Sequence, residues 1–270
     1  MEDYLFLLPC IGFLVGILVT FIGGGGGAIY IPLLMFGFGL TLKEAVPISL
    51  GTMIFTSFFG SISHYRHGNI HLRGGLLAVV GALIGTGLGS FISTIAPENI
   101  LERAFGVLML IMIWPMLLEM RAQKEKISKK EIAEEVNLLE HPLARGWPTA
   151  LAIFFIGLTS GTSAGLFGVS GVVTLIIGFY LIKIKPKVIV GTSIFILFFK
   201  AFSGFLWHLS RIEIDWGIML LLALGTSFGG FFGPRILAKC NHEKVDCVLE
   251  KVFIIIIFSI GILFLTKPIS

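Results

Sequence analysis

In VGTSIFILFFKAFSGFLWHLS, residues 190–210, a single lysine interrupts a long apolar run. Lys200 follows Lys187 by thirteen positions, roughly 20 Å along a helix axis at about 1.5 Å per residue. In a run that crosses a bilayer, that depth falls well inside a hydrocarbon core about 30 Å thick. A cation there is costly unless it faces protein, water or an anion, which makes Lys200 a functional candidate. Gly204 and His208 follow Ser193 at offsets of 11 and 15 residues, and Lys200 follows it at 7. These offsets wind back to within roughly a quarter of the helix circumference. Ser49, Thr56, Gly60 and His64 repeat the pattern earlier in the chain. Two polar stripes carrying hydroxyls and one ammonium suit recognition of a small anion. The competing reading has the hydroxyls bonding helix backbone, the glycines serving as packing notches and Lys200 snorkelling or pairing with a carboxylate. No mid-run carboxylate is placed to pair with it.

A second motif is FIGGGGGAIYIP, residues 21–32, with five adjacent glycines and then a proline between apolar segments. Its counterpart in the second half is Phe167-Gly168-Val169-Ser170-Gly171. Glycine turns freely and lets a backbone or ligand approach closely. At the N-terminus of a following half-helix, free N–H groups and the positive dipole end favour an anion. The substrate-binding candidates are therefore Gly24, Gly25, Gly26, Gly27, Ser49, Gly168, Ser170, Gly171, Thr192, Ser193 and Lys200. The alternative for glycine is close helix packing, which explains the spaced series Gly81-Gly85-Gly89 and Gly225-Gly229-Gly233.

His64 and His208 are candidates for coupling to a proton gradient, because histidine titrates near neutral pH. As residues near helix ends they read equally well as interfacial hydrogen-bonding groups. Asp215 and Trp216 read as a helix cap and an interfacial anchor. His64, His67 and His71 have offsets that suit a metal, but Gly68-Asn69 breaks the helix between them and no acidic or cysteine ligand is near. No metal or other cofactor is expected. The chain has no Gly-x-Ser-x-Gly elbow, Walker A loop or paired catalytic carboxylates. It reads as a non-enzyme that does not pump by ATP hydrolysis.

These residues need elements to hold them, and composition says which. Of 270 residues, 56% are hydrophobic and 13% charged, far from a soluble globular domain. Apolar runs occupy roughly 4–22, 28–40, 45–64, 75–95, 100–118, 147–167, 171–182, 188–209, 216–237 and 249–266. They lack the polar and apolar alternation of a membrane barrel, so they are helices. The fold class is all-α and polytopic, about ten helical segments. Met1-Glu2-Asp3 is acidic and no cleavage pattern follows the first run, so that run is expected to remain. Cys10, Cys240 and Cys247 form no disulfide framework or zinc knuckle. The net charge of +4 reports membrane orientation before any partner, and nucleic acid is not indicated.

Sliding the chain by 144 residues without gaps matches fifteen residues between 24 and 89, including Gly27/Gly171, Ser49/Ser193, Gly60/Gly204 and His64/His208. The expected division is a first transmembrane repeat over 1–118, a cytoplasmic charged linker over 119–146, holding a short surface helix, and a second repeat over 147–270. With the N-terminus outside, the inside loops carry fifteen lysines and arginines against four outside. Five segments per half then invert the second repeat relative to the first. The charges do not separate ten full crossings from two re-entrant hairpins, because a hairpin returns to the face it left.

The stretches GGGGGAIYIP, GLTSGTSAGLFGVSG and VGTSIFILFFKAFSGFLWHLSRIEIDW resemble the sulfite exporter TauE/SafE family, also called TSUP, over nearly the whole chain. The first half departs in having Pro47-Ile48-Ser49 where the second has Gly191-Thr192-Ser193. The resemblance implies transport of small anions, especially sulfur-containing oxyanions and organosulfonates, across the bacterial plasma membrane. The expectation is an alternating-access carrier with both termini outside. Its partners would be a small anion and the lipid bilayer, with room for a homo-oligomer. An anion channel of the same architecture is the first alternative, and a membrane-embedded enzyme the second.

Overall fold

The computed structural model describes residues 7–22, 26–128, 147–182, 186–237 and 242–266. Their regular elements are the helices α1 (Leu7–Ile22), α2 (Gly27–Phe38), α3 (Leu42–Arg66), α4 (Leu72–Ile95), α5 (Glu98–Ser128), α6 (Trp147–Phe167), α7 (Val172–Leu181), α8 (Pro186–Leu209), α9 (Trp216–Leu237) and α10 (His242–Thr266). Four of them, α3, α4, α6 and α8, are long and apolar enough to cross a membrane. The chain is an all-α, multi-pass membrane protein. At 12 and 10 residues, α2 and α7 reach only about 18 and 15 Å, half a bilayer.

Local chemistry marks the helix starts. Thr41 and Glu44 form a capping box at α3: Thr41 N donates to Glu44 Oε2 at 2.8 Å, and Glu44 N donates to Thr41 Oγ1 at 3.3 Å. Pro186 opens α8, where its missing N–H costs nothing. Asp215 caps α9 by accepting from Ile218 N at 3.0 Å, as its position suggested. Trp216 beside it is exposed. α5 continues to Ser128, into the polar segment expected to form a separate surface helix; the rest of that segment, 129–146, lies outside the described residues.

Glycine stripes set the closest packing. A Cβ on Gly81, Gly85 or Gly89 of α4 would run into the carbonyl of Phe154, Leu158 or Thr162 of α6. From the other side, Gly157, Gly161 and Gly165 lie against the carbonyls of Ala78, Ala82 and Thr86. α4 and α6 are thus parallel, with backbones in contact. α1 and α9 repeat the arrangement, Gly225 and Gly229 meeting the carbonyls of Pro9 and Phe13 while Gly12 and Gly16 meet those of Leu222 and Thr226.

The two halves are related by a pseudo-two-fold axis. Exchanging α1–α5 with α6–α10 turns the α4/α6 pair into α9/α1, α4/α8 into α9/α3, and α2/α3 into α7/α8, all of which are packed pairs. The α3/α8 and α5/α10 pairs map onto themselves. α3 and α8 run antiparallel, since Gly204 lies against Leu50 and Gly60 against Ile194. An operator that swaps two antiparallel helices is perpendicular to them, so the axis lies in the membrane plane and the repeats are inverted.

One detail of the repeat differs from the gap-free alignment. Gly12/Gly157, Gly16/Gly161 and the left-handed caps Gly26 and Gly171, with φ of +77° and +55°, correspond at an offset of 145, whereas α3 onward follows 144. A one-residue slip therefore separates the glycine breaks from the helices behind them. Five adjacent glycines satisfy either register by identity alone, which hides the slip in the sequence.

Candidate functional site

The second glycine break is a hairpin tip. Gly168 N donates to Ala164 O at 2.8 Å and closes α6, and left-handed Gly168 and Gly171, at φ of +62° and +55°, reverse the chain. α7 then runs back along α6: Gly171 lies against Ser160 and Ser163, and Gly178 against Ile156. For the second half this resolves the choice left open by the charges, in favour of a half-length helix folded back on its predecessor.

The first break is described from Gly26 onward, where α2 begins. Gly26 O accepts from both Ile29 N and Tyr30 N at 2.9 Å, starting α2. A Cβ on Gly27 would lie 2.5 Å from Met53 Cε and 2.7 Å from Val169 Cα, and would overlap the Gly168 carbonyl oxygen. The N-terminus of α2 thus sits directly on the second tip. Gly24 and Gly25 lie outside the described residues.

Around this junction the expected side chains divide. Ser49 is buried and donates to Gly168 O at 2.9 Å, bridging α3 to the second tip. Ser193, its symmetry mate, is equally buried, and its Oγ has no hydrogen-bond partner. Ser170 is buried in the tip itself. Thr192 faces elsewhere: its Oγ1 accepts from His71 N at 3.0 Å and its Cγ2 lies near Gly75. It pins the 67–71 turn to α8.

Lys200 is fully buried, and its Nζ donates to Ser160 Oγ at 2.5 Å. Ser160 Oγ in turn donates to Gly171 O at 2.8 Å. The lysine is thereby connected through one hydroxyl to the N-terminal end of α7. Lys200 is nine residues from the end of α8, about 14 Å. Ser160 is level with Ala82–Gly85, the middle of the 24-residue α4. Both observations put the pair near the bilayer centre, and the residue at the symmetric position, Thr56, spends its hydroxyl on Met53 O at 3.1 Å. Among the described residues the buried lysine has no symmetric counterpart.

The histidines separate as well. His208 is fully buried, with Nε2 at 3.3 Å from Gly165 O and no partner for Nδ1. His64 is half-buried with Nδ1 unpartnered. His67 Nδ1 is 2.7 Å from Ser63 O, and His71 Nδ1 accepts from Gly74 N at 3.0 Å, capping α4. Burial holds the His71 imidazole below its ordinary pKa; a hydrogen bond with its own backbone opposes the shift and Arg73 adds to it. His67 and His71 thus spend their Nδ1 atoms on local backbone.

Sequence reasoning did not single out Ser160, the partner of Lys200. Its signal is present in GLTSGTSAGLFGVSG, where Gly157, Gly161 and Gly165 mark the face toward α4 and leave Ser160 on another. Which helix receives that other face depends on the hairpin, which spacing alone does not encode.

The arrangement brings together two half-helix N-termini, whose first-turn N–H groups lack intrahelical acceptors, a buried ammonium and three serines. Half-helix N-termini and a buried lysine amine are groups that an anion would partner.

Comparison with known proteins agrees with this architecture. A family model described as "Sulfite exporter TauE/SafE" matches residues 8–264. The chain is 26% identical to the probable membrane transporter protein YunE of Bacillus subtilis over 93% of this chain and 94% of that one. It is 25% identical to the probable membrane transporter protein MJ0441 of Methanocaldococcus jannaschii, again over 93% and 94%. No solved structure matches. An inverted-repeat, multi-pass helical protein matched from its first helix to its last, the chain belongs to the sulfite exporter TauE/SafE family of membrane transporters.

Proposed function

We propose that the protein is a secondary carrier of small anions, of the sulfur-containing oxyanion or organosulfonate class, working by alternating access in the bacterial plasma membrane. The observation that carries this reading is the meeting of Lys200, Ser160 and the α2 and α7 N-termini near mid-bilayer. Lys200 supplies the charge, Ser193, whose Oγ is unpartnered, a hydrogen bond, and Ser49 a second once its hydroxyl leaves Gly168 O, with Ser170 in the tip beside them. An ordered tetrahedral oxyanion accepts from several such donors at once. The second half then moves against the first about the pseudo-two-fold, opening the junction to either side in turn. Buried His208, with a free Nδ1, is the first candidate for proton coupling and half-buried His64 the second. The positive-inside bias supports an orientation with both termini outside.

Reconstitution in liposomes tests this. Sulfite, thiosulfate, sulfoacetate, taurine and chloride are compared by anion-evoked current and by internal pH, with Lys200→Ala alongside. A saturable response to a sulfur-containing anion, lost in the variant, is expected. Non-saturating flux without counterflow would instead assign a channel.

A further inference from the structure

Outside the anion site, the flank of α8 carries a built groove. A cavity of about 690 Å³ is lined by Leu83 of α4 and by Phe198, Phe202, Leu206, Trp207 and Arg211 of α8 and its C-terminal turn. It continues into a second depression of about 520 Å³ that shares Ser210 and Arg211 and adds Glu213 and Trp216. From Phe198 to Arg211 is thirteen residues, about 20 Å along the helix. That is about two thirds of a core about 30 Å thick, so the trough covers one leaflet from mid-bilayer into the head groups.

One turn beyond Leu83 the α4 flank carries no side chain, at Gly87. Leu83, Gly87 and Phe91 fall on one stripe of α4 at four-residue spacing. A Cβ on Gly87 would meet nothing within 4 Å, and Phe91 beyond it packs edge-on against Trp207 at 6.4 Å between ring centroids. At the polar end the Arg211 guanidinium lies 4.3 Å over the Trp207 ring. Its hydrogen bonds to Trp207 O and Ser210 Oγ are long, at 3.4 and 3.3 Å. A guanidinium carries five N–H donors, so it retains capacity for a phosphate. Glu213, two residues on and exposed, sets a negative charge beside the positive one.

We infer that this groove holds one aminophospholipid, its acyl chain along the α4/α8 trough, its phosphate on Arg211 and its primary amine at Glu213. An apolar channel of leaflet length ending in adjacent charges of opposite sign complements a zwitterionic head group. A glycerol head group lacks the amine and leaves Glu213 without a cation. A quaternary choline head group offers Glu213 no N–H donor.

Native mass spectrometry on the delipidated full chain in detergent, with phosphatidylethanolamine, phosphatidylglycerol and phosphatidylcholine added at equal concentration, tests the inference. One retained phosphatidylethanolamine is expected, about tenfold preferred over the other two, as about 1.4 kcal/mol of head-group discrimination implies. Arg211→Ala should abolish retention, and Glu213→Gln should remove the preference while keeping binding. Gly87→Leu, which puts a side chain into the open space one turn beyond Leu83, should abolish retention with the thermal midpoint unchanged. Equal retention of the three lipids, or retention surviving both Arg211→Ala and Gly87→Leu, overturns the site. A dimer that Gly87→Leu dissociates would overturn it too, by assigning the groove to a second copy.

Discussion

Ser160 accepts from Lys200 and donates to the Gly171 carbonyl, so one hydroxyl joins a buried lysine amine to the first turn of α7. Removing it leaves the Lys200 amine short of a partner, while Gly171 O keeps its bond from Leu175 N, and an unsatisfied buried polar group costs about 1–3 kcal/mol. Ser160→Ala should therefore lower the thermal midpoint of the anion-free protein. An anion placed on Lys200 would replace the lost partner, so the stabilisation produced by a bound anion should be larger in Ser160→Ala than in the parent. Thermal unfolding with and without the transported anion checks both halves of this; an unchanged midpoint would mean that the Lys200–Ser160 contact contributes little. His71 offers a residue-scale test by pH. Its neutral Nδ1 accepts from Gly74 N at the start of α4, and its folded pKa lies below the unfolded one. The stabilisation is fully present above the unfolded value, near 6.5, and is lost as pH falls through the lower folded value. Protonation also turns the acceptor into a donor. His71→Asn keeps a good cap that does not titrate, so it should remove that part of the loss of stability between neutral and acidic pH, as melting curves across the range would register.

At the scale of elements, the parallel α4/α6 pair is held by backbones in contact, and its glycines are not interchangeable. A Cβ on Gly85 would overlap the Leu158 carbonyl oxygen, while one on Gly87, two residues further along the same helix, meets nothing. Gly85→Ala should part the helices and destabilise by about 1–3 kcal/mol, the range for overpacking. Gly87→Ala should be neutral or slightly stabilising, since alanine is the better helix former. The pair of melting measurements isolates packing from propensity, and equal effects would refute the close α4/α6 register. This spacing was legible in the sequence for Gly81, Gly85 and Gly89; the receiving stripe Gly157, Gly161 and Gly165 has the same period. The partner was not legible, because a small-residue stripe specifies that something approaches and leaves the choice of helix to topology. Thr192 and Ser193 show the same boundary. Adjacent residues on a helix diverge by about 100°, so Thr192 staples the 67–71 turn while Ser193 is buried with its Oγ unpartnered, and only the placed neighbours distinguish them.

For the whole molecule, inversion was readable from the repeat and the charge bias, and the antiparallel α3/α8 pair agrees with it. The slip between offsets of 144 and 145 was not, because glycine identities at the break fit both. The slip matters for function, since it decides what the second half's polar chain corresponds to in the first. Lys200 maps to Thr56 at 144, Ser160 maps to Val15 at 145, and Gly171 maps to Gly26. The first half therefore keeps the half-helix and lacks both the ammonium and the relay serine, and the machinery for charge is confined to one of two symmetric positions. If the two-fold is what makes the junction usable from both sides, moving that machinery across it should move the site. Lys200→Thr alone should abolish anion-dependent thermal stabilisation. Adding Thr56→Lys and Val15→Ser to it should restore stabilisation to within about tenfold in affinity, about 1.4 kcal/mol. Adding Thr56→Lys alone should restore less, because Val15 offers the ammonium no acceptor. A folded triple variant that binds no better than Lys200→Thr would show that the two sides of the axis, alike in backbone, are unlike in potential, and would assign the anion to the second hairpin alone.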